Sequence, residues 1–341
     1  MILENVDIRK YCTLKVGGQF RYFVEAKSID DIHKAYQFSK EKDVKVLILG
    51  GGSNMVFPDG ILNVLALKIE ILGFDILSDT EEFTEIKVCS GENWDYFVER
   101  TVDMRLSGVE ALSAIPGTVG ATPVQNVGAY GQEVKDTILS VEVFDTKEKE
   151  IKILSNDDCD FSYRNSIFKD KEKGRYIILS VVFKLLKRNP EIPNYSGVKK
   201  YFEERNNLNP SLKEIREAVI KIRSNKLPNP NEIPNVGSFF KNPIITKKQF
   251  DEICKDNKDF DIPVFELEND FVKIPAGWLI ENTGLKGKDF GHISTYKNNA
   301  LVFVNDGEAT FKDIISARDE IIKKVYEKFS ITLETEPEFV K

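Results

Sequence analysis

Two stretches of this chain set glycines where main chain, rather than side chains, would meet a ligand. The first is Gly50-Gly-Gly-Ser-Asn54, which ends the apolar run Val44-Lys-Val-Leu-Ile-Leu49. Residues without a Cβ let the backbone come close to a bound group and can turn successive N–H groups towards an anion. Taken alone, the segment reads equally well as a turn that holds nothing. The second stretch is Ile115-Pro-Gly-Thr-Val-Gly120, followed by Pro123-Val-Gln-Asn-Val-Gly-Ala-Tyr-Gly131. Its glycines at 117, 120, 128 and 131 alternate with the hydrogen-bonding groups of Thr118, Gln125 and Asn126. A plain loop seldom needs so many special backbone positions so near together. A planar polar ring system joined to a pyrophosphate does.

Other chemistries are poorly supplied. No GxxxxGK[ST] occurs and no G-x-G-x-x-G follows a strand, so a dinucleotide would be held without a P-loop or a Rossmann crossover. His33 and His292 are the only histidines, too few for a histidine zinc site or a Ser-His-Asp triad, and no metal is expected. Cys12, Cys89, Cys159 and Cys254 form no CxxC pair and read as reduced structural thiols of a cytoplasmic protein. A formal net charge of −7 argues against a general binder of nucleic acid or of an anionic membrane. It leaves room for an anionic small molecule, which local cations decide. The first 15 residues are too charged for a signal peptide, and no run nears the roughly 18 apolar residues of a membrane span.

The elements that must carry these loops follow from spacing. Ser28 with Asp31 three residues later caps a helix over 28–43 that faces Ile29, Ile32 and Tyr36 one way. A strand over 44–49 delivers the first glycine loop, and a second strand group surrounds 64–69. The stretch 92–106 reads as an amphipathic helix that brings Trp94, Phe97 and Val98 together. Strands are expected over 139–144, 151–154 and 176–186, and 189–194 reads as a connection. Ser211 with Glu214 caps a helix carrying Leu212, Ile215, Val219 and Ile222 on one side. The Pro- and Asn-rich run 226–234 is the strongest boundary signal. Beyond it helix and strand alternate, ending in a long helix that Thr310 starts. The expected class is α+β or mixed α/β in three parts.

With these residues in view, the sequence resembles the UDP-N-acetylenolpyruvoylglucosamine reductase (UDP-N-acetylmuramate dehydrogenase) family. The matching blocks are Leu-Gly-Gly-Gly-Ser-Asn (49–54), Ile-Pro-Gly-Thr-Val-Gly (115–120), Pro-Val-Gln-Asn-Val-Gly-Ala-Tyr-Gly (123–131) and Tyr-Arg-Asn-Ser-Ile-Phe-Lys (163–169). They continue with Lys-Leu-Pro-Asn-Pro (226–230), Gly-Ser-Phe-Phe-Lys-Asn-Pro (237–243), Ala-Gly-Trp-Leu-Ile-Glu (276–281) and Glu-Pro-Glu (336–338), in family order over nearly the whole chain. The resemblance implies an α+β fold like that of the vanillyl-alcohol-oxidase flavoproteins: a two-part FAD-binding unit, 1–70 and 71–226, and a C-terminal α/β substrate-binding domain, 227–329. A tail, 330–341, would return to the site. It implies a cytoplasmic enzyme with FAD as cofactor and NADPH as electron donor. The substrate implied is UDP-N-acetylglucosamine enolpyruvate, with no nucleic acid, membrane or obligate protein partner.

The resemblance also distributes roles. Gly50, Gly51, Gly52, Ser53 and Asn54 fall to the cofactor. So do Ile115, Pro116, Gly117, Thr118, Gly120, Gln125, Asn126, Gly128, Ala129 and Tyr130. An enolpyruvyl ether that takes hydride at its β-carbon needs its enolate-like charge stabilised and its α-carbon protonated. Arg164 matches the residue that pairs with the carboxylate, where a guanidinium offers a bidentate fork. Glu338 matches the family's acidic residue, which in its protonated form could bond the enolate. Ser238 matches the proton donor; a hydroxyl is a feeble acid, but a carbon-centred enolate is a strong base. Arg223, Lys226, Asn242 and Tyr195, the loop tyrosine of the family's first subtype, match substrate contacts.

Plainer readings stand beside these. Arg164 suits a strand-edge ion pair, Ser238 a turn or cap, Glu338 a solvated tail, and Arg223 and Lys226 the negative end of a helix dipole. Phe239 and Phe240 read as core. The family's final motif carries an arginine two residues past the glutamate and then Ile-Gly. Here Glu338 is followed by Phe339, Val340 and Lys341, so either Lys341 or nothing stands in for that arginine. A different flavin oxidase or dehydrogenase, or a non-catalytic binder of FAD or UDP-sugar, are the rival functions. The first lacks an evident base, and the second leaves Ser238, Arg164 and Glu338 without a task.

Overall fold

Strand Phe83–Cys89 alternates buried and half-buried residues along its whole length, the signature of a strand covered unequally on its two faces. The computed structural model describes residues 1–341, and by internal contacts they form two units. One comprises 1–6, 20–52 and 63–224; the other comprises 7–19, 53–62 and 225–341.

The first unit holds two sheets. In the smaller, the strands run in the order Leu3–Asp7, Gln19–Ala26, Ile61–Ile69, Lys45–Leu49, the last two parallel with Leu47 opposite Ala66. Helix α1, Ile29–Glu41, links strand Gln19–Ala26 to strand Lys45–Leu49, and residues 50–60 join the two parallel strands. Ser28 caps it as expected: Ser28 Oγ accepts from the Asp31 N–H, and the Asp31 carboxylate accepts from Lys27 N–H. The larger sheet is antiparallel, in the order Glu150–Ser155, Ile138–Asp145, Tyr176–Leu186, Phe83–Cys89, Phe74–Asp79. One face packs Val88, Val141, Val181 and Phe183 on Trp94, Phe97 and Val98 of helix α2, Trp94–Asp103. Its other face sets Phe144, Ile177 and Leu179 against Val24, Leu65 and Leu67 of the smaller sheet.

One irregularity lets a single strand serve both cores. Glu142 pairs with Ser180 but Val143 with Ile178, so Leu179 is the extra residue of a bulge. A one-residue shift reverses which side chains face which way. Ile177 and Leu179 therefore point to one core, and Val181 and Phe183 to the other.

Helices α3, Ser196–Glu203, and α4, Leu212–Lys226, make a satellite core of Val198, Phe202, Ile215, Ala218 and Val219 with Ala111. Ser211 and Glu214 form the expected capping box of α4. Helix α3 is absent from the sequence-based expectations: its apolar face is one i,i+4 pair, Val198 and Phe202, within only eight residues.

The second unit is built on an antiparallel sheet in the order Asn235–Ser238, Asn299–Asn305, Ile293–Tyr296. A smaller sheet, Ile244–Thr246, Phe271–Lys273 and Phe265–Glu266, accompanies helix α5, Lys247–Asp256. Helices α6, Ala276–Asn282, and α7, Phe311–Phe329, close the core with Leu279, Ile280, Ile314, Ile321 and Val325. Thr310 and Asp313 form the capping box that starts α7. Phe239 and Phe240 are 0% and 1% exposed, and Phe239 stacks on Phe303 at 3.8 Å, so both fill core as read from the sequence. No helix is long and apolar enough to cross a membrane.

At the end of strand Ile138–Asp145 the Asp145 carboxylate is buried between Arg175 (2.8 Å) and Lys152 (2.9 Å). The Arg175 guanidinium first, and Lys152 with it, hold this carboxyl well below the usual carboxylate range against the opposing effect of burial. A depressed folded-state pKa contributes stability that is present above about pH 4 and is lost as pH falls through the folded value. Asp145→Asn should thus lower unfolding stability by about 2–3 kcal/mol at neutral pH, less than a fully buried pair because Arg175 and Lys152 keep water contact. In denaturant titrations at several pH values, the gap from wild type should shrink below about pH 4. A gap constant with pH would show that the pair is not responsible.

Candidate active site

The first glycine loop leaves strand Lys45–Leu49 and meets the second loop main chain to main chain. A Cβ placed on Gly51 would lie 2.9 Å from Gly117 Cα, and one on Gly50 would lie 2.9 Å from Thr118 Oγ1. Separations this short leave no room for any side chain at Gly51 unless backbone moves. Gly51 and Gly52 donate their N–H groups to no backbone carbonyl. The second loop is clamped from behind: Trp94 N–H donates to Gly117 O, Val119 N–H to Glu92 O, and Gly120 N–H to Ser90 O. A Cβ on Gly120 would fall 2.4 Å from Ser90 Cβ. Ile115 packs on the core of the larger sheet, while Pro116 is exposed beside it.

Within 123–131 the residues divide by task. Asn126 is fully buried, and its amide donates to Glu133 Oε2 (2.9 Å) and Ser162 O (3.1 Å), while its Oδ1 accepts from Lys135 N–H (3.2 Å). The structure thus commits the Asn126 side chain to shaping the loop, a part the sequence did not reveal. Gln125 accepts from Lys169 Nζ at 3.3 Å, and Ala129 packs on the core. Arg164 adopts a left-handed φ of 55° and its Nη2 donates to Gly128 O at 2.8 Å, which orients the guanidinium fork against this loop.

Helix α4 reaches the loops through two arginines seven residues apart, hence on one face. Arg216, 7% exposed, makes a bidentate pair with Asp95 at 2.6 and 3.1 Å. Asp95 also accepts at 2.6 Å from the N–H of Ala114, whose left-handed φ of 58° starts the turn into Ile115. Burial pushes the Asp95 carboxyl up, but the bonds from Arg216 and Ala114 outweigh it and leave it below its ordinary value. Arg223, one of the candidate substrate contacts, is half-buried and lies beside Tyr130. Burial pushes the Tyr130 phenol up against the pull of Arg223. The Tyr130 ring meets that of Tyr195, at the start of α3, edge to face at 5.1 Å. Lys226 ends α4 and is exposed.

The second unit carries the remaining candidates. Ser238 closes strand Asn235–Ser238, opposite Val302, and is half-buried. Asn242 Oδ1 accepts from the Ala276 N–H at 2.9 Å and so satisfies an end donor of α6. Ser53 and Asn54 belong to this unit. Glu338 and Phe339 pair in parallel with Met55 and Val56, with Glu338 N–H donating to Asn54 O. Phe339 and Val340 are packed, Phe339 against Phe239, Phe311 and Arg318. The tail that bears Glu338 is therefore anchored from both sides, while Lys341 is exposed.

Comparison with known proteins places this arrangement. A model of an FAD binding domain matches residues 20–153, which makes the chain an FAD-binding flavoprotein of α+β, vanillyl-alcohol-oxidase-like fold. A second model, for the C-terminal domain of UDP-N-acetylenolpyruvoylglucosamine reductase, matches residues 229–340. Curated UDP-N-acetylenolpyruvoylglucosamine reductases from Flavobacterium johnsoniae and Bdellovibrio bacteriovorus are 41% and 40% identical, each alignment covering 98% of both chains. The solved reductase from Thermus caldophilus shares the fold, with a TM-score of 0.70 and 22% identity over 100% of each chain. The chain belongs to the UDP-N-acetylenolpyruvoylglucosamine reductase family.

Two tests follow. Gly51→Ala forces a methyl group onto Gly117, and overpacking of about 1–3 kcal/mol, if borne by the cofactor-bound state, corresponds to a loss of flavin affinity of about 5- to 150-fold. Titration of flavin-free protein with FAD should show this with the circular dichroism unchanged; wild-type affinity would remove the cradle from the site. Arg216→Met should cost about 2–3 kcal/mol in denaturant unfolding by stranding Asp95, and Asp95→Leu combined with it should recover part of the loss. Strictly additive losses would mean that the two do not act as a pair.

Proposed function

We propose that this chain reduces UDP-N-acetylglucosamine enolpyruvate to UDP-N-acetylmuramate, a step in making peptidoglycan precursors, with FAD as its cofactor and NADPH as electron donor. The observation that carries the reading is full-length similarity to reductases of this name, joined to a backbone cradle that a single Cβ would fill. The residues fit a flavin dinucleotide. Gly50, Gly51 and Gly52 with Gly117, Thr118 and Gly120 would hold it, and bound FAD supplies a hydride acquired from NADPH and delivered to the β-carbon of the enolpyruvyl group.

The protein's own share is to hold the substrate, bear the charge and move one proton. Lys226 and Arg223 offer cations to the diphosphate end, with Tyr195 and Asn242 as further contacts. The bond from Arg164 to Gly128 O presets its fork for a carboxylate, where a bidentate guanidinium gives both energy and direction. Glu338 is assigned a hydrogen bond to the developing enolate, and its strand pairing fixes its backbone for that task. Ser238 Oγ gives its proton to the α-carbon, and the alkoxide regains one from water. Segments 1–70 and 71–226 make up the FAD-binding unit, from which Arg164, Tyr195, Arg223 and Lys226 also serve the substrate; 227–329 is the substrate-binding domain, and the tail 330–341 brings Glu338 back to the site. We place the reaction in the cytoplasm and assign it no obligate protein partner.

The test is anaerobic. Protein reduced by NADPH should recover its oxidised flavin absorbance when UDP-N-acetylglucosamine enolpyruvate is added, and UDP-N-acetylmuramate should appear in equal amount. Ser238→Ala should leave reduction by NADPH near normal and slow the recovery at least about 100-fold, the lower range for general acid catalysis. Equal loss in both halves would remove Ser238 from the proton-transfer role. A flavin-containing protein that the UDP-sugar never reoxidises would overturn the reading.

A further inference from the structure

Ser238 ends a strand that is irregular just ahead of it. Asn235 pairs with Val304 and Ser238 with Val302, so three steps on one strand face two on the other. The extra residue is absorbed where Gly237 takes a left-handed φ of 72°. A Cβ built on Gly237 meets nothing within 4 Å, so backbone conformation rather than crowding calls for glycine here. What maintains the turn is the Asn235 side chain, in a residue 4% exposed. Its Oδ1 accepts from Gly237 N–H at 3.0 Å, and its Nδ2 donates to Pro228 O at 3.1 Å and Ile233 O at 2.9 Å. The Asn235 N–H donates in turn to Thr13 O at 3.1 Å. On the far side of Ser238, Phe239 N–H donates to Leu301 O at 2.8 Å and the Phe239 ring is locked in core.

We propose that Asn235 is the positioning residue for Ser238: through the Gly237 backbone it sets the direction from which the serine hydroxyl delivers its proton. The inference rests on the reading of Ser238 as proton donor. Proton transfer to carbon tolerates little misplacement, and an error of about 1 Å can cost about 100-fold in rate. An amide side chain with two donors and one acceptor, all used on backbone, gives a fixed geometry that no rotamer change can relax. A second buried asparagine of the same sheet supplies the contrast. Asn305, 3% exposed, donates to Leu14 O at 2.9 Å and accepts from Gly307 N–H at 2.7 Å and Ala309 N–H at 3.1 Å. Asn305 follows Val304, the partner of Asn235, yet its side chain makes no bond to 237–238.

The test uses the FAD-loaded protein in anaerobic rapid mixing, with thermal stability measured on each variant. Asn235→Ala and Gly237→Ala should be reduced by NADPH at the wild-type rate but reoxidised by UDP-N-acetylglucosamine enolpyruvate at least about tenfold more slowly, with substrate affinity little changed. The double variant should be scarcely slower than either single one, because both act through one turn. Asn305→Ala should lose comparable thermal stability and keep its reoxidation rate. Should Asn235→Ala fail to fold, Gly237→Ala decides alone: its methyl group meets nothing within 4 Å, and the strain it suffers at a left-handed φ of 72° falls on the turn under test. Wild-type reoxidation in Asn235→Ala and Gly237→Ala beside a slow Ser238→Ala would overturn the inference and leave the reading of Ser238 standing. Slow reoxidation in Asn305→Ala as well would also overturn it, as general loosening. Ser238→Ala reoxidised at the normal rate would bring down that reading and the inference with it.

Discussion

The close approach of Gly51 to Gly117 is the constraint around which the first unit is arranged. Two main chains can come this near only if neither carries a side chain at the contact and each is held from outside. Strand Lys45–Leu49 holds one of them, paired in parallel with Ile61–Ile69. The other is pinned by three successive backbone bonds to 90–94, which join strand Phe83–Cys89 to α2. Both sheets therefore bear on the same few ångströms of glycine. The bulge at Leu179 belongs to this logic, since it turns one strand from the core beneath α2 to the core beneath the smaller sheet.

Charge is placed with similar economy. The chain is acidic overall, yet α4 directs two arginines inward, one to Asp95 and one to Tyr130. A buried arginine is tolerated because it is never deprotonated and its planar fork can be fully bonded. Through Asp95 the first of them holds the N–H of Ala114, where the backbone turns into the 115–120 loop. The same helix ends in Lys226, so the brace of the 115–120 loop and the cations proposed for the substrate are carried in one stretch of sequence.

In the second unit, the proposed mechanism relies on backbone direction where many enzymes use a histidine. A serine hydroxyl has little intrinsic acidity, so its usefulness as a donor depends on placement. Asn235 and Gly237 fix the chain ahead of Ser238, and Phe239 fixes it behind. The tail bearing Glu338 is treated alike: parallel pairing with Met55–Val56 and the packing of Phe339 fix its course.

Much of this was legible from residues alone because its causes are local. Caps at Ser28, Ser211 and Thr310 act over three residues, and the apolar, β-branched run within Tyr176–Leu186 marks a strand by itself. Glycine blocks in fixed order were enough to identify the family and its cofactor, since a backbone cradle leaves its mark as missing side chains. The pairs that position the site left no such mark. Asp95 and Arg216 lie 121 residues apart, and Asn242 reaches α6 across 34. Asn126 looked like a ligand contact, and only folding brought Glu133, Ser162 and Lys135 around it. Asn235 likewise gave no signal, because an asparagine beside a glycine is an ordinary turn until the carbonyls of Pro228, Ile233 and Thr13 are set about it. Local pattern determines which segments become helix, strand or cradle; which buried polar groups find partners is decided only when distant segments close on one another, since each such group must be satisfied there or not be buried at all.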